Sequence, residues 1–331
     1  MYAKYVYNTS ATVDQMLDDI FEIFCGETTV SNLSAGCDTV NTQILTAHSV
    51  SPWVDFDDVS ASKRVMRLQL DDEPGVYKYV SLNHDGVDEL AFTIMESWNN
   101  TTHVPTNEVA VNYDKEGMGF NNGLGGTMHL YGSQYCLIML HQSITDIWGQ
   151  GRGDPTYGSL GVFECSRDHP SLAVGDMPNW FISSTALLWG DDDTTMKASF
   201  WKGRDYLDVV QTPFTAEMTY PGRDSNYSDF NSYPVTGGLG TSTALEEIGE
   251  PTTFGLEPIL IGGSPTKTHL QATTFYGNVS SRCGIWMMPV GTQNCGSLVD
   301  VDGVAHIIFK AGYTTSTAGA IYGGKFIVPY G

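Results

Sequence analysis

Met66-Arg67-Leu68-Gln69-Leu70 alternates apolar with polar side chains, residue by residue. Successive side chains of an extended strand point to opposite faces, so such a stretch has one buried and one wet side. Tyr77 and Tyr79 bracket Lys78 in the same manner, and Leu90, Phe92 and Ile94 alternate with Ala91 and Thr93. Between these runs lie Asp72-Glu73-Pro74-Gly75 and His84-Asp85-Gly86, residue types that initiate turns or accept positive φ. From Trp53 onward the spacing therefore predicts a meander of antiparallel strands.

Further along, Gly132-Ser133 between Tyr131 and Gln134 is a two-residue hairpin signal. The run Tyr135 to Leu140 that follows is apolar on both faces, as a central strand requires. Leu298 to Val301 and Val304 to Phe309 are joined through Asp302-Gly303, and Lys325 to Val328 supplies a last strand. Residues from about 145 to 260 differ in texture. Gly149-Gln150-Gly151-Arg152-Gly153-Asp154-Pro155, Gly190-Asp191-Asp192-Asp193 and the span Tyr220 to Gly240 read as long loops with few periodic runs. Loops of that length in a compact domain usually form a functional surface or lie under a partner.

Upstream of the strands the period is helical. Val13, Met16, Leu17, Ile20, Phe21 and Phe24 fall on one stripe, with Asp14, Asp18, Asp19 and Glu22 on other faces. Thr12 and Gln15 have the spacing of a capping box, and Gly26 stands where a left-handed residue ends a helix. The pattern predicts an amphipathic helix over 12–25, and a shorter one over 38–47 through Val40, Ile44 and Ala47. The expected architecture is mainly β. An antiparallel, sandwich-like body spans 51–331 with long loops at about 145–260, and an N-terminal strand and helical segment, residues 1–50, packs on it.

Composition limits the function classes. The chain has 331 residues, 41% of them hydrophobic, which suffices for a sizeable core. Its 16 Lys plus Arg stand against 38 Asp plus Glu, a net charge of −22. Phosphate neutralisation needs basic patches, so direct nucleic-acid binding is not expected. Charged residues make up only 16%, below the roughly 25% usual for soluble domains. Such a surface is uncharged and polar, or is covered by neighbours. There is no apolar run of about 18 residues and no basic-then-apolar opening, which predicts no membrane span and synthesis in a cytoplasm. In that setting the sequons at Asn8, Asn100, Asn226 and Asn278 are chance products of a Thr- and Ser-rich composition.

Chemistry-bearing motifs are sparse. Cysteines at 25, 37, 136, 165, 283 and 295 match no zinc spacing. Disulfides Cys25–Cys37 and Cys283–Cys295 would each close a short loop, while cytosolic synthesis favours free buried thiols. The acidic groups Asp55-Asp57-Asp58, Asp71-Asp72-Glu73 and Asp191-Asp192-Asp193 could offer oxygen ligands to calcium, yet no EF-hand loop follows, and solvated turns account for them. Glu96, Glu108, Glu164 and Asp168 are glycosidase candidates that spacing alone does not pair. Glu164-Cys165-Ser166-Arg167-Asp168-His169 invites a nucleophile with His169 as base, but strand neighbours point to opposite faces, and a turn before Pro170 explains the run better. His129 and His141, at opposite ends of the expected hairpin, read as ordinary strand histidines. Gly149, Gly151 and Gly153 lack the strand–helix context of a nucleotide loop, and Arg152-Gly153-Asp154 is too short a match to inform. The sequence nominates no catalytic, cofactor-binding or metal-ligating residue, and no cofactor.

Certain stretches resemble a known group. Tyr5-Val6-Tyr7, Gly26-Glu27-Thr28-Thr29, Asn32-Leu33-Ser34-Ala35-Gly36-Cys37, Asn41-Thr42, Asp72-Glu73-Pro74-Gly75-Val76-Tyr77-Lys78-Tyr79, Glu96-Ser97-Trp98-Asn99 and Thr102-His103 resemble the start of virion structural proteins from large tailed bacteriophages. The closing Val301-Asp302-Gly303-Val304 hairpin and Phe326-Ile327-Val328-Pro329-Tyr330-Gly331 are similar in style. The resemblance implies a non-enzymatic structural protein of the virion, in the tail, baseplate or collar, assembled in host cytoplasm with copies of itself and other virion proteins. Abundant aromatics and Gly-rich loops keep a receptor- or carbohydrate-binding module, in a fibre or head decoration, as the alternative. A glycan hydrolase ranks behind both.

Overall fold

The computed structural model describes residues 1–46, 50–69, 75–86, 89–110, 118–119, 125–142, 157–164, 180–184, 197–201, 215–219, 256–258, 260–263, 274–278, 280–288, 296–310, 313–314, 321–322 and 325–331. These residues are mainly β. One large antiparallel sheet contains β1 (Tyr2–Tyr7), β2 (Gln43–Leu45), β9 (Gly126–Ser133), β10 (Cys136–Gln142), β11 (Tyr157–Glu164), β12 (Trp180–Ser184), β13 (Lys197–Trp201), β14 (Thr215–Thr219), β16 (Leu260–Gly263) and β17 (Thr274–Asn278). Its order is β17-β16-β14-β13-β12-β11-β10-β9-β1-β2. A second sheet runs β3 (Val54–Ser60), β4 (Lys63–Gln69), β5 (Tyr77–His84), β6 (Glu89–Asn99) and β7 (Val104–Ala110), with β8 (Met118–Gly119) beside β6. A third, C-terminal sheet has the order β15-β18-β23-β20-β19, from β15 (Glu257–Pro258), β18 (Trp286–Met288), β19 (Leu298–Val301), β20 (Val304–Lys310) and β23 (Lys325–Pro329). β21 (Tyr313–Thr314) and β22 (Ile321–Tyr322) form a small ribbon.

The helix expected from the N-terminal stripe is present as α1 (Val13–Cys25). Thr12 and Gln15 close a reciprocal capping box, and Gly26 ends the helix at φ 70°. Met16, Leu17, Ile20, Phe21 and Phe24 are all buried, against β1, β3, β5 and β9. The stripe therefore fills the space between the large sheet and the β3–β7 sheet. Inner residues Met66, Leu68, Val80, Leu82, Leu90, Phe92 and Ile94 share one core with Tyr5, Met128, Leu130 and Leu137. Farther along, β11 and β12 pack on β6, and β13 packs on β7, completing a sandwich.

The C-terminal sheet lies on the other side of the large sheet. Tyr5 faces α1, where its hydroxyl donates to Asp19, so by alternation Tyr2 faces away from α1. There the Tyr2 ring sits 4.9 Å from Tyr330 and His129 sits 4.9 Å from Phe309. The Asp302-Gly303 hairpin closes as its residues demand, at φ 53° and 84°, with the Gly303 N–H donating to Asp300.

Several expectations are corrected. The described residues 38–46 do not form the second helix expected over 38–47: Gln43–Leu45 is strand β2, paired with Tyr2–Lys4 of β1. Asp38 caps a turn by accepting from the N–H groups of Val40 and Asn41, and the exposed β1 backbone then offers a ladder that three residues of helix propensity do not outweigh. Ala47 lies outside the described residues. The β9–β10 hairpin turns at Gln134-Tyr135 rather than at Gly132-Ser133, since Ser133 pairs directly with Cys136. Ser133 Oγ accepts from the Tyr135 N–H and holds the turn, and Gly132 serves packing: a Cβ there would meet Met1, Phe24 and Leu137 within 3.3–3.5 Å.

Lys78 reverses the expected facing of its strand, being buried while Tyr77 and Tyr79 are only partly covered on the outer side. Within the span at about 145–260, the described residues are almost all in strands. Strands β11 to β15 lie in it and four of them extend the large sheet, because short Gly-, Ser- and Thr-bearing strands take their order from a neighbour's ladder. Gly149–Pro155, Gly190–Asp193 and Tyr220–Gly240 lie outside the described residues.

Candidate functional site

Burying a polar group without partners is costly, so a surplus of such groups marks chemistry. Lys78 projects from β5 into the core, where its ammonium donates to the Gln134 carbonyl at 2.9 Å and forms an ion pair with Glu164 at the end of β11. Both side chains are 3% exposed. The Tyr135 ring receives Lys78 at 5.6 Å and Arg282 at 5.2 Å. Arg282 belongs to α2 (Ser280–Cys283), a single helical turn. The β3–β7 sheet, the β9–β10 turn and α2 thus meet at one charged centre. Glu164, nominated for a glycosidase pair, is committed there to a cation. Glu108 is exposed and opposite Met95, so the adjacent Glu96 faces the other side of the sheet. Asp168 lies outside the described residues, as do Cys165, Ser166 and His169.

Asp19 is the second buried carboxylate. It accepts from the Tyr5 hydroxyl at 2.9 Å and from the Ser34 N–H and hydroxyl, both at 2.7 Å. The two Ser34 donors anchor the 30–37 loop to α1, the Tyr5 hydroxyl ties β1 to it, and the three together replace the carboxylate's water. His129 and His141, separated in sequence, are neighbours in the sheet: His141 opposes Met128, and His129 opposes Leu140. They occupy opposite faces, each with a tyrosine, Tyr2–His129 at 2.6 Å and Tyr7–His141 at 3.0 Å.

Burial pushes the His141 imidazole from 6.5 down to about 4 and the Tyr7 phenol up to about 12. Between those two histidine values the unfolded chain takes up a proton that the native state refuses. Stability contributed by neutral His141 is therefore complete above about pH 6.5 and is lost as pH falls toward about 4. Denaturant titrations at about pH 7 and about pH 4.5 are expected to differ by on the order of 2–3 kcal/mol from this group, and His141→Gln should remove that part of the slope.

The acidic groups resolve into local pairings. Arg64 bridges Asp18 of α1, at 2.7 Å, and Asp58 of β3, at 2.5 Å. Asp57 accepts from the Trp98 indole N–H at 2.7 Å and contacts the His103 ring at 2.8 Å. Burial, then the nearby Asp58 and Glu27 charges, raise the Asp55 carboxyl. Among the described residues no group of three or more His, Cys, Asp or Glu is placed to hold a metal ion. Asp71–Glu73 and Asp191–Asp193 lie outside them. Cys25, Cys37, Cys136 and Cys283 are free and buried, so the Cys25–Cys37 loop is not closed; Cys295 is outside the described residues. No helix of the described residues is long and apolar enough to cross a membrane.

The outward-facing chemistry is at the sheet edges. Among the described residues the exposed large hydrophobics are Val40 (89%), Val50 (70%), Val104 (56%), Leu298 (52%) and Val54 (45%). Each lies on an edge strand or on the segment leading into one. Val40 precedes β2, Val50 precedes β3, and Val54, Val104 and Leu298 are the first residues of β3, β7 and β19. An edge strand leaves unpaired N–H and C=O groups that a partner strand can fill. The edges differ in how they are guarded. β3 carries Asp55, Asp57 and Asp58 and two register irregularities, and β7 carries Pro105, whereas β19 has neither proline nor bulge. Sequence periodicity reveals alternation within a strand but not which strand lacks a neighbour, so these positions escaped it.

A second feature is on the face of the β3–β7 sheet turned away from α1, beside the buried Val65, Met95 and Trp98. The Arg67 guanidinium lies over Phe56 at 4.1 Å and Tyr77 at 4.6 Å, beside Tyr79. Searches against protein-family models and against curated protein sequences find no match to this chain.

Proposed function

We propose that this chain is a non-enzymatic structural component of a tailed-bacteriophage particle, located in the tail, baseplate or collar and assembled through edge strands and loops. The observation that carries it is the position of the exposed large hydrophobics among the described residues, all on or beside edge strands of three different sheets. Apolar residues at unpaired edges are a liability for a free monomer and a joint for an assembly. The resemblance of the two ends to virion structural proteins supports the particle, and the low charged fraction suits a subunit with neighbours on several sides.

The purified chain is expected to form concentration-dependent oligomers in light scattering. Val54→Lys, Val104→Lys and Leu298→Lys combined should shift it to monomer with its circular dichroism unchanged and should remove the concentration dependence of its unfolding temperature. Mass spectrometry of purified particles should find the chain in many copies. A monomer at all concentrations, absent from particles, overturns the proposal.

One observation favours the alternative, a receptor- or carbohydrate-binding virion module. Phe56, Tyr77 and Tyr79 around Arg67 form a partly exposed aromatic and cationic surface of the kind on which sugar rings stack. Adsorption to host-cell glycans that Tyr77→Ala abolishes would select this alternative.

A further inference from the structure

We propose that Cys136 and Cys283 are a cross-link site, at which mild oxidation closes a disulfide between the β9–β10 hairpin and α2. Neither pairing suggested by sequence spacing involves Cys136. The fold nevertheless brings these two together across the interface between the large sheet and the one-turn helix that leads into the C-terminal sheet. The Cys283 thiol donates to the Tyr135 carbonyl, with sulfur and oxygen 3.4 Å apart, and Cys136 Sγ lies 3.4 Å from Ser133 Oγ. Ser133 Oγ in turn accepts from the Tyr135 N–H, so both sulfurs sit against the same two-residue turn. Tyr131 fixes the helix by donating its hydroxyl to the Cys283 carbonyl at 3.3 Å, and the Cys283 thiol also lies 3.7 Å from the Glu164 carbonyl. Cys25 and Cys37 share no such turn: the Cys37 thiol instead meets the Thr42 hydroxyl at 3.3 Å.

The reaction balances with a peroxide as oxidant. One sulfur, deprotonated, attacks a peroxide oxygen; the O–O bond breaks, the departing hydroxide takes up a proton to become water, and a sulfenic acid remains on that cysteine. The second thiol attacks the sulfenic sulfur, the S–S bond forms, and the sulfenic oxygen leaves as water with the second thiol's proton. Two thiols lose two electrons and two protons, and one hydrogen peroxide becomes two waters.

Both residues are buried, and burial raises the Cys283 thiol well above its ordinary range. Reaction therefore waits on local opening, for which the four-residue α2 is the weakest attachment. A bond here ties residues far apart in the chain, and long loops are the ones whose closure most restricts the unfolded state. The inference does not depend on the virion reading, since it concerns the isolated chain.

The test is peroxide treatment of the purified, reduced full chain, followed by digestion without reductant and mass spectrometry. A linked peptide pair carrying Cys136 and Cys283, lighter by two hydrogens than the sum, is expected. The unfolding temperature should rise by several degrees and return with dithiothreitol. Cys136→Ala and Cys283→Ser should each abolish the linked peptide and the rise, and Cys25→Ser with Cys37→Ser should preserve both. If either core variant fails to fold, the wild-type peptide map decides alone. Links confined to other cysteines, or sulfinic acid at 136 or 283 without a link, overturn the inference.

Discussion

Lys78→Met is expected to lower folding stability by about 3–5 kcal/mol, because it leaves the Glu164 carboxylate buried without its cation. The side chains of the pair are each 3% exposed, so water does not replace the lost partner. Glu164→Leu should cost a similar amount by stranding the ammonium, although that group keeps the Gln134 carbonyl. Coulomb attraction inside a core roughly offsets the desolvation of two ions, so the double variant Lys78→Met with Glu164→Leu should recover most of the loss. Urea titrations of the four proteins make a complete cycle. Additive losses in the double variant would mean that the two groups do not share one desolvated centre. A glycosidase role for Glu164 would show a different pattern, with loss of turnover in Glu164→Gln and stability nearly unchanged.

How much of this was legible in the sequence depends on where the deciding interaction lies. The α1 helix was legible end to end, since its cap, stripe and stop are all within fourteen residues of one another. The Asp302-Gly303 hairpin was equally local, because only those residue types accept two successive positive φ values cheaply. The β9–β10 turn slipped by two residues because Gly132 looked like turn chemistry while its small size answers to Phe24 and Met1, distant in sequence. Lys78 sits inside for the same kind of reason: its partner is 86 positions away, and no periodicity reports a long-range ion pair. Strands β12 to β14 were illegible as strands, being ordered by the ladder of β11 rather than by their own pattern. Edge positions, on which the proposed assembly rests, are defined by missing neighbours and so by topology alone.

Leu17→Asp is expected to have the other large effect, a loss of about 4 kcal/mol or more. Leu17 is fully buried in the cluster that joins α1 to both sheets, together with Met16, Ile20, Phe21 and Phe24. Removing its side chain forfeits roughly 1.5–3 kcal/mol of apolar burial. The new carboxylate must then be protonated, pull the helix outward or stay unpaired in the core, and each course adds several kcal/mol. Neighbouring Asp18 provides the control. It is two-fifths exposed and paired with Arg64 at 2.7 Å, so Asp18→Ala should cost only about 0.5–1 kcal/mol. The sequence left open whether the apolar stripe meets this chain's own body or a neighbouring subunit, and the packing against β1, β3, β5 and β9 makes it internal. Dilution separates the two possibilities. With the stripe buried inside one chain, Leu17→Asp lowers the unfolding temperature by the same amount at every protein concentration, whereas the edge substitutions act on association alone. A Leu17→Asp protein as stable as wild type would show that α1 does not close the core between the two sheets.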